Sequence, residues 1–316
     1  MTDLRINGIK ATGSAIVLAA AMSMTASGAA SAAEWFTTFL STNKVEYLDN
    51  FVNDEQNAAI REDEVRLSTN NQVFATGVLE NNRIARVGGR LQYFQHIDRT
   101  DQDSLGVGAF ADIGQRFSNG VFVRGGIDAS YRRKDGANQF VEGGGTFLTQ
   151  YAPSRSYRAQ LTLRGDYRDF DDNNFAGLDQ VRLHATGRLF WYPFEDSSFI
   201  LGEVGVLDTN ADQNFQSNVQ TFVAIRGHYA FTDRTSVTLR ARYTMKTFDA
   251  GNPAVQGGLT REDDIFQVFG QVDHKFNKSI TGFAEAGVVE QDSNINNQSF
   301  TGPRFGVGVK LLFSTR

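Results

Sequence analysis

Along most of this chain, apolar and polar residues alternate with the two-residue period of a β-strand. The last stretch, residues 304–313, is the clearest instance. Phe305, Val307, Val309, Leu311 and Phe313 fall on one side, and Arg304, Gly306, Gly308, Lys310 and Leu312 on the other. The pattern recurs over residues 83–98, 104–117, 121–132, 157–168, 178–191, 199–207, 219–231, 237–248, 265–276 and 280–290. Residues 139–151 are Gly-rich and alternate less cleanly. Nearer the N-terminus, 44–52 and 64–77 are weaker strand candidates joined by a polar connection over 54–62, with a short helix over 54–64 as the alternative. Residues 35–43 carry no clear pattern and read as a lead-in.

Connections between these segments alternate in kind. Tight ones lie at 80–82, 118–120, 152–156, 192–197, 232–236 and 277–279. Longer, acidic or Asn-rich ones lie at 99–103, 133–138, 169–177, 208–218, 249–264 and 291–301. Pro153 and Pro193 fall in turns, Pro253 in a loop and Pro303 at a strand entrance, where a missing N–H does least damage.

Segments of this length exceed the five or six residues usual in soluble sheets, where about 9–11 cross a bilayer. The apolar face ends repeatedly in aromatics near the turns, at Phe117, Tyr131, Tyr151, Tyr157, Tyr167, Trp191, Tyr229, Phe231, Phe276 and Phe313, while Ala, Gly and Val fill much of the middle. A soluble core would place its largest side chains at mid-strand, whereas a barrel in lipid carries aromatic girdles at both interfaces. The fold read from this is all-β: a transmembrane antiparallel up-and-down β-barrel of about 14 strands, with 12 as the alternative, short periplasmic turns and longer external loops. Both counts are even and leave both chain ends on the periplasmic side.

Composition sharpens the picture. The 316 residues include no Cys, which excludes disulfides and thiolate metal sites. A formal charge of −5 gives no basic field for nucleic acid. A mean hydropathy of −0.33, with no long apolar run beyond the N-terminus, excludes a helical membrane bundle but not a barrel. At the N-terminus, Arg5 and Lys10 precede a short apolar stretch and the small residues Ala30-Ser31-Ala32-Ala33, the form of a secretory signal peptide cleaved after Ala32 or Ala33. The expected organisation is a signal peptide over 1–33, a periplasmic lead-in over 34–43 and an outer-membrane barrel over 44–316.

Two stretches carry a resemblance. Gly306-x-Gly308-x-x-Leu311-x-Phe313 resembles the C-terminal signal by which the barrel assembly machinery recognises outer-membrane proteins. Gly306 departs from the usual polar residue, and Ser314-Thr315-Arg316 follow the aromatic that normally ends the chain. Glu46-Tyr47-Leu48-Asp49-Asn50 through Glu62-Asp63-Glu64-Val65-Arg66-Leu67 resembles the opening hairpin of porin-like barrels of Gram-negative bacteria. The resemblance implies residence in the outer membrane, in contact with its lipid and lipopolysaccharide. It assigns Gly308, Leu311 and Phe313 to the assembly signal.

The face opposite the apolar one then lines the interior, where cations outnumber acids. Arg124, Arg158, Arg164, Arg168, Arg182, Arg188, Arg226, Arg240 and Arg242 are the candidate anion contacts. The expectation is passive diffusion of small, preferably anionic, hydrophilic solutes. A wall of Arg–carboxylate pairs that only satisfies interior charge is the competing reading. Arg158, Arg164 and Arg168 on one strand and Arg182 and Arg188 on the next form the expected contact patch, because Asp166 alone is too little to neutralise it. Export of a surface polymer or partner binding through the long loops is an alternative function.

An outer-membrane hydrolase is less favoured, since His184-Ala185-Thr186 places Thr where a nucleophile belongs and His184 on the interior face. Asp169-Phe170-Asp171-Asp172 and Glu262-Asp263-Asp264 read as solvated loop acids rather than Ca²⁺ ligands. No phosphate loop or zinc spacing is present, so neither cofactor nor metal is expected.

Overall fold

A computed structural model describes residues 34–51, 62–171, 178–194, 197–251, 258–295 and 298–315. The expected signal peptide, most of the 54–62 connection and the middle of the 249–264 loop lie outside the described residues. Fourteen antiparallel strands close into one barrel. In chain order they are β1 (Glu34–Phe51), β2 (Glu62–Leu79), β3 (Arg83–His96), β4 (Ser104–Arg116), β5 (Val121–Lys134), β6 (Ala137–Tyr151), β7 (Tyr157–Phe170), β8 (Gln180–Phe194), β9 (Ser198–Ala211), β10 (Asn218–Ala230), β11 (Thr235–Phe248), β12 (Glu262–Lys275), β13 (Ile280–Ser293) and β14 (Phe300–Ser314). Each strand pairs with its neighbours in sequence, and β1 pairs with β14 to complete the ring. Closure matters physically because an unpaired strand edge has no water to bond inside hydrocarbon.

The registers put the expected apolar residues on the outside. Mid-strand Ile127 is 70% exposed, Leu239 62% and Val307 59%, a continuous apolar belt that water would not tolerate. On the rim of short turns the belt ends in Phe117, Tyr151, Tyr157, Trp191, Phe231, Phe276 and Phe313, all exposed. On the opposite rim it ends in tyrosines whose hydroxyls find polar partners. Tyr167 Oη donates to Asp179 at 3.0 Å and Tyr243 Oη to Asp264 at 2.7 Å. A phenol suits that boundary, with its ring in the apolar belt and its hydroxyl in the polar loops.

Four sequence expectations change. Residues 34–43 are not a lead-in but the first half of β1, which pairs with both β2 and β14. Their pattern is blurred because Ser41 and Asn43 share the outward face with Phe39 and Val45, while Phe36 and Leu40 share the inward one. The outward polar groups satisfy one another, Asn43 Nδ2 donating to Ser41 Oγ at 2.9 Å and Thr69 Oγ1 to Asn43 Oδ1 at 3.0 Å.

The 133–138 segment is not a long loop. Lys134 and Ala137 flank a two-residue turn, Asp135-Gly136, with φ of 48° and 73°, the left-handed pair that a tight hairpin demands. Ser314 belongs to β14, and beyond it the Thr315 N–H donates to Thr37 O at 3.1 Å, so the residues after Phe313 extend the seam. Glu262-Asp263-Asp264 open β12 rather than lying in a loop, and Asp263 is buried against Arg261 at 2.8 Å.

Candidate functional site

Register places every expected contact arginine on the inner face: Arg124 on β5, Arg158, Arg164 and Arg168 on β7, Arg182 and Arg188 on β8, Arg226 on β10, and Arg240 and Arg242 on β11. They divide into two electrostatic groups.

The first is a dense network on β5–β8. The Asp166 side chain is fully buried, with Arg164 Nε at 3.0 Å, Arg182 Nε at 2.6 Å and His184 Nε2 at 3.4 Å. Glu142 on β6 receives Arg164 at 3.0 Å, Arg168 at 2.7 Å and Arg182 at 2.8 Å. Asp128 on β5 pairs with Arg90 at 3.0 Å and also with Arg164. Arg164, Arg168 and Arg182 of the patch expected to meet anions are therefore held by three carboxylates rather than by Asp166 alone. Arg188 pairs with Glu203 on the adjacent strand. His184 is a member of this network.

Glycines make the long reaches possible. Arg164 on β7 reaches Asp128 on β5 across β6, where Gly144 faces inward. A Cβ there would lie 3.1 Å from the Arg164 guanidinium and 2.7 Å from Asp166 Cβ. Arg90 on β3 crosses β4 in the same way at Gly108, whose Cβ would meet Arg90 Nε at 3.0 Å. A side chain on the intermediate strand would block each pair.

The second group has no carboxylate. Among the described residues, Arg124, Arg158, Arg226, Arg242 and Arg304 have no acid within ion-pair distance. Two of these lie on aromatic rings, Arg242 over Phe222 at 3.8 Å and Arg158 over Tyr192 at 5.3 Å. Arg240, which pairs with Glu285 at 2.7 Å, also lies over Phe269 at 4.6 Å. The rings rest on glycines of neighbouring strands. A Cβ on Gly205 would lie 2.5 Å from the Phe222 ring, and one on Gly287 2.3 Å from the Phe269 ring. Glycine, flat phenyl and guanidinium thus stack in layers from the wall inward. The sequence reading missed these inward phenylalanines, because the glycine that beds each one sits on another strand and is found only through the register.

Two concavities flank this wall. One, of about 320 Å³, opens on the inside and is lined by Arg226, Arg240, Arg242, Arg304, Glu203 and Phe269 among others. A larger one of about 780 Å³ lies on the outer surface, where Gly282 and Ala284 leave a hollow beside Val307 and Val309. That hollow faces the apolar belt and is separate from the interior. Among the described residues no cluster of His, Asp and Glu could hold a metal.

Residues 166–313, from the middle of β7 nearly to the end of β14, match the family model described as "Putative beta-barrel porin 2". The match covers the second half of the barrel. No curated protein matches the sequence. Two solved channels share the architecture of this barrel. An anion-selective porin from Comamonas acidovorans superposes with a TM-score of 0.51 at 10% identity, covering 89% of this chain and 100% of that one. The outer membrane channel DcaP of Acinetobacter baumannii gives 0.51 at 12%, covering 89% and 97%. At such identities the likeness is one of fold. The protein is a porin-like outer-membrane channel.

The C-terminal residues assigned to assembly have packing roles as well. Phe313 lies outward at the rim with its ring centroid 6.3 Å from that of Phe39. Leu311 faces outward between Ser41 and Ile280. Gly308 faces inward beneath Phe283, whose ring would lie 2.6 Å from a Cβ there.

Proposed function

We propose that this porin passes small hydrophilic anions by passive diffusion, and that its preference is set by the interior arginines without carboxylates. The single observation carrying this reading is the one-sided pairing of interior charge. Asp112, Asp128, Glu142, Asp166, Glu203, Asp273 and Glu285 each have a cationic partner, whereas Arg124, Arg158, Arg226, Arg242 and Arg304 have no acidic one. Unpaired cations on a wall of low dielectric concentrate the field in the lumen and raise the local concentration of anions. Chloride, phosphate and small carboxylates would all gain from it.

The reading moves the weight away from Arg164, Arg168, Arg182 and Arg188, which are held by acids, and onto Arg226 and Arg242. Reversal potentials of the purified protein in planar bilayers under a KCl gradient test it. The wild type should prefer chloride, Arg226→Glu with Arg242→Glu should turn that preference toward potassium, and Arg164→Glu with Arg182→Glu should collapse the network and impair folding. A closed or cation-selective wild-type channel rejects the anion reading. An unchanged potential in the Arg226/Arg242 variant rejects the assignment to those residues.

A further inference from the structure

The inner cavity of about 320 Å³ has the makings of a binding site as well as a stretch of wall. Its charge is unusual for one sheet. Arg226 on β10 and Arg240 on β11 are direct cross-strand partners, and Arg242 follows two residues along the same face. Like charges placed opposite one another destabilise a sheet unless a counter-charge lies between them. Glu285 answers Arg240 and Lys44, and Glu203 is held by Arg188 from the adjacent strand, so Arg226 is left without a counter-charge of its own. Arg304 on β14 approaches from the far side of β13 and has no acid of its own. Three guanidinium groups, those of Arg226, Arg242 and Arg304, therefore line one cavity without a carboxylate partner, Arg242 spending only its Nε–H on Thr244 Oγ1 at 3.1 Å.

The remaining lining is apolar on one side. Leu201, Ala224 and Phe269 line it beside these cations. The Arg242 and Arg240 guanidiniums lie over rings at 3.8 and 4.6 Å, contacts that restrict where their planar forks can go. A planar fork matches the two oxygens of a carboxylate. Cation donors on one side and hydrocarbon on the other describe a solute with the same division. The volume lies at the low end of small-molecule pockets and suits one compact molecule.

We propose that this cavity binds a small organic carboxylate with an apolar or aromatic body, so that such solutes cross the porin by a saturable path. The proposal rests on the anion-channel reading above for its transport half. The carboxylate sits against Arg226, Arg242 and Arg304, and the body of the solute lies on Leu201, Ala224 and Phe269. No bond is made or broken.

Benzoate is the probe, with acetate lacking the apolar body, benzyl alcohol lacking the charge, and inorganic phosphate supplying charge alone. Isothermal titration of the folded protein in detergent micelles reads binding whether or not the channel conducts. Benzoate should bind at least about tenfold more tightly than acetate, benzyl alcohol and phosphate, a gap of one good apolar contact or one charge-assisted bond. In bilayers, benzoate should reduce chloride conductance with a saturating dose dependence. Arg242→Gln should weaken binding about tenfold or more while Arg155→Gln, exposed in the 152–156 turn, leaves it unchanged.

Equal binding of acetate and benzoate overturns the apolar half, and phosphate binding as tightly as benzoate reduces the site to a general anion contact. No saturable benzoate signal in a protein that conducts chloride overturns the site but not the channel. Benzoate binding in a protein that conducts nothing overturns the channel reading and leaves the site standing.

Discussion

Replacing Gly205 by alanine tests the layered wall most directly. Gly205 on β9 faces inward opposite Phe222 on β10, and an added Cβ would stand 2.5 Å from the phenyl carbons and 3.0 Å from Ala185 O. Carbon atoms in ordinary contact are about 3.5–4.0 Å apart, so the ring has to retreat by about 1 Å. The wall blocks it on one side, and the Arg242 guanidinium, 3.8 Å from the ring centroid, blocks it on the other. Overpacking of this kind costs about 1–3 kcal/mol, to which a weakened cation–π contact adds about 0.5–1 kcal/mol. In a Phe222→Ala background the methyl enters space the ring has left, and Gly205→Ala should become nearly neutral. The double-mutant cycle should therefore show a coupling on the order of 1–3 kcal/mol. Urea unfolding in phospholipid vesicles, followed by the fluorescence of Trp35 and Trp191, gives the four free energies. An equal cost of Gly205→Ala in both backgrounds, or none in the wild type, would refute the stacking argument.

Other perturbations separate the two arginine groups and the seam. Asp166→Asn removes the charge that Arg164, Arg182 and His184 share. Stability should fall by about 3 kcal/mol, the low end for a broken buried pair because Glu142 and Asp128 remain, and the chloride preference should rise. Unchanged urea midpoints and reversal potentials together would contradict both statements. Truncation after Phe313 removes the Thr315 N–H bond to Thr37 O at 3.1 Å and the Thr37 N–H bond to Thr315 Oγ1 at 2.9 Å. A folded barrel destabilised by about 1 kcal/mol per bond is expected, whereas Phe313→Ala should lower the yield of heat-modifiable, folded protein in the membrane. Equal yields for the two variants would remove Phe313 from the assembly signal.

The sequence exposed the barrel wherever the outward face was uniformly apolar, as with Val181, Leu183, Ala185, Leu189 and Trp191 on β8. It blurred where Ser41, Asn43, Thr69 and Asn71 occupy outward positions on β1 and β2, since alternation measures contrast and the contrast there is low. The Asp135-Gly136 turn was hidden by the charged residues around it, although Asp-Gly is a two-residue hairpin signal in its own right. The lumen was legible as a face but not as a set of partnerships. Arg164 is neutralised by Asp128 from two strands away, across Gly144, and no spacing within one strand announces such a pair. For the same reason the arginines without a carboxylate, Arg226, Arg242 and Arg304, were not distinguishable from those that have one.

The β1–β14 seam joins residues 278 positions apart, and without it the sheet keeps two open edges. Every other strand pair is local in sequence, so thirteen hairpin-like contacts can form early while the last waits for both ends of the chain. Long-range closure of this kind is slow, and the partly made sheet offers edges to any other chain. A fragment such as β7–β14 therefore carries the family pattern without being a smaller folding unit. Closure of the barrel thus depends on one pairing between the two ends of the chain, and until that pairing exists both edge strands are open to other chains.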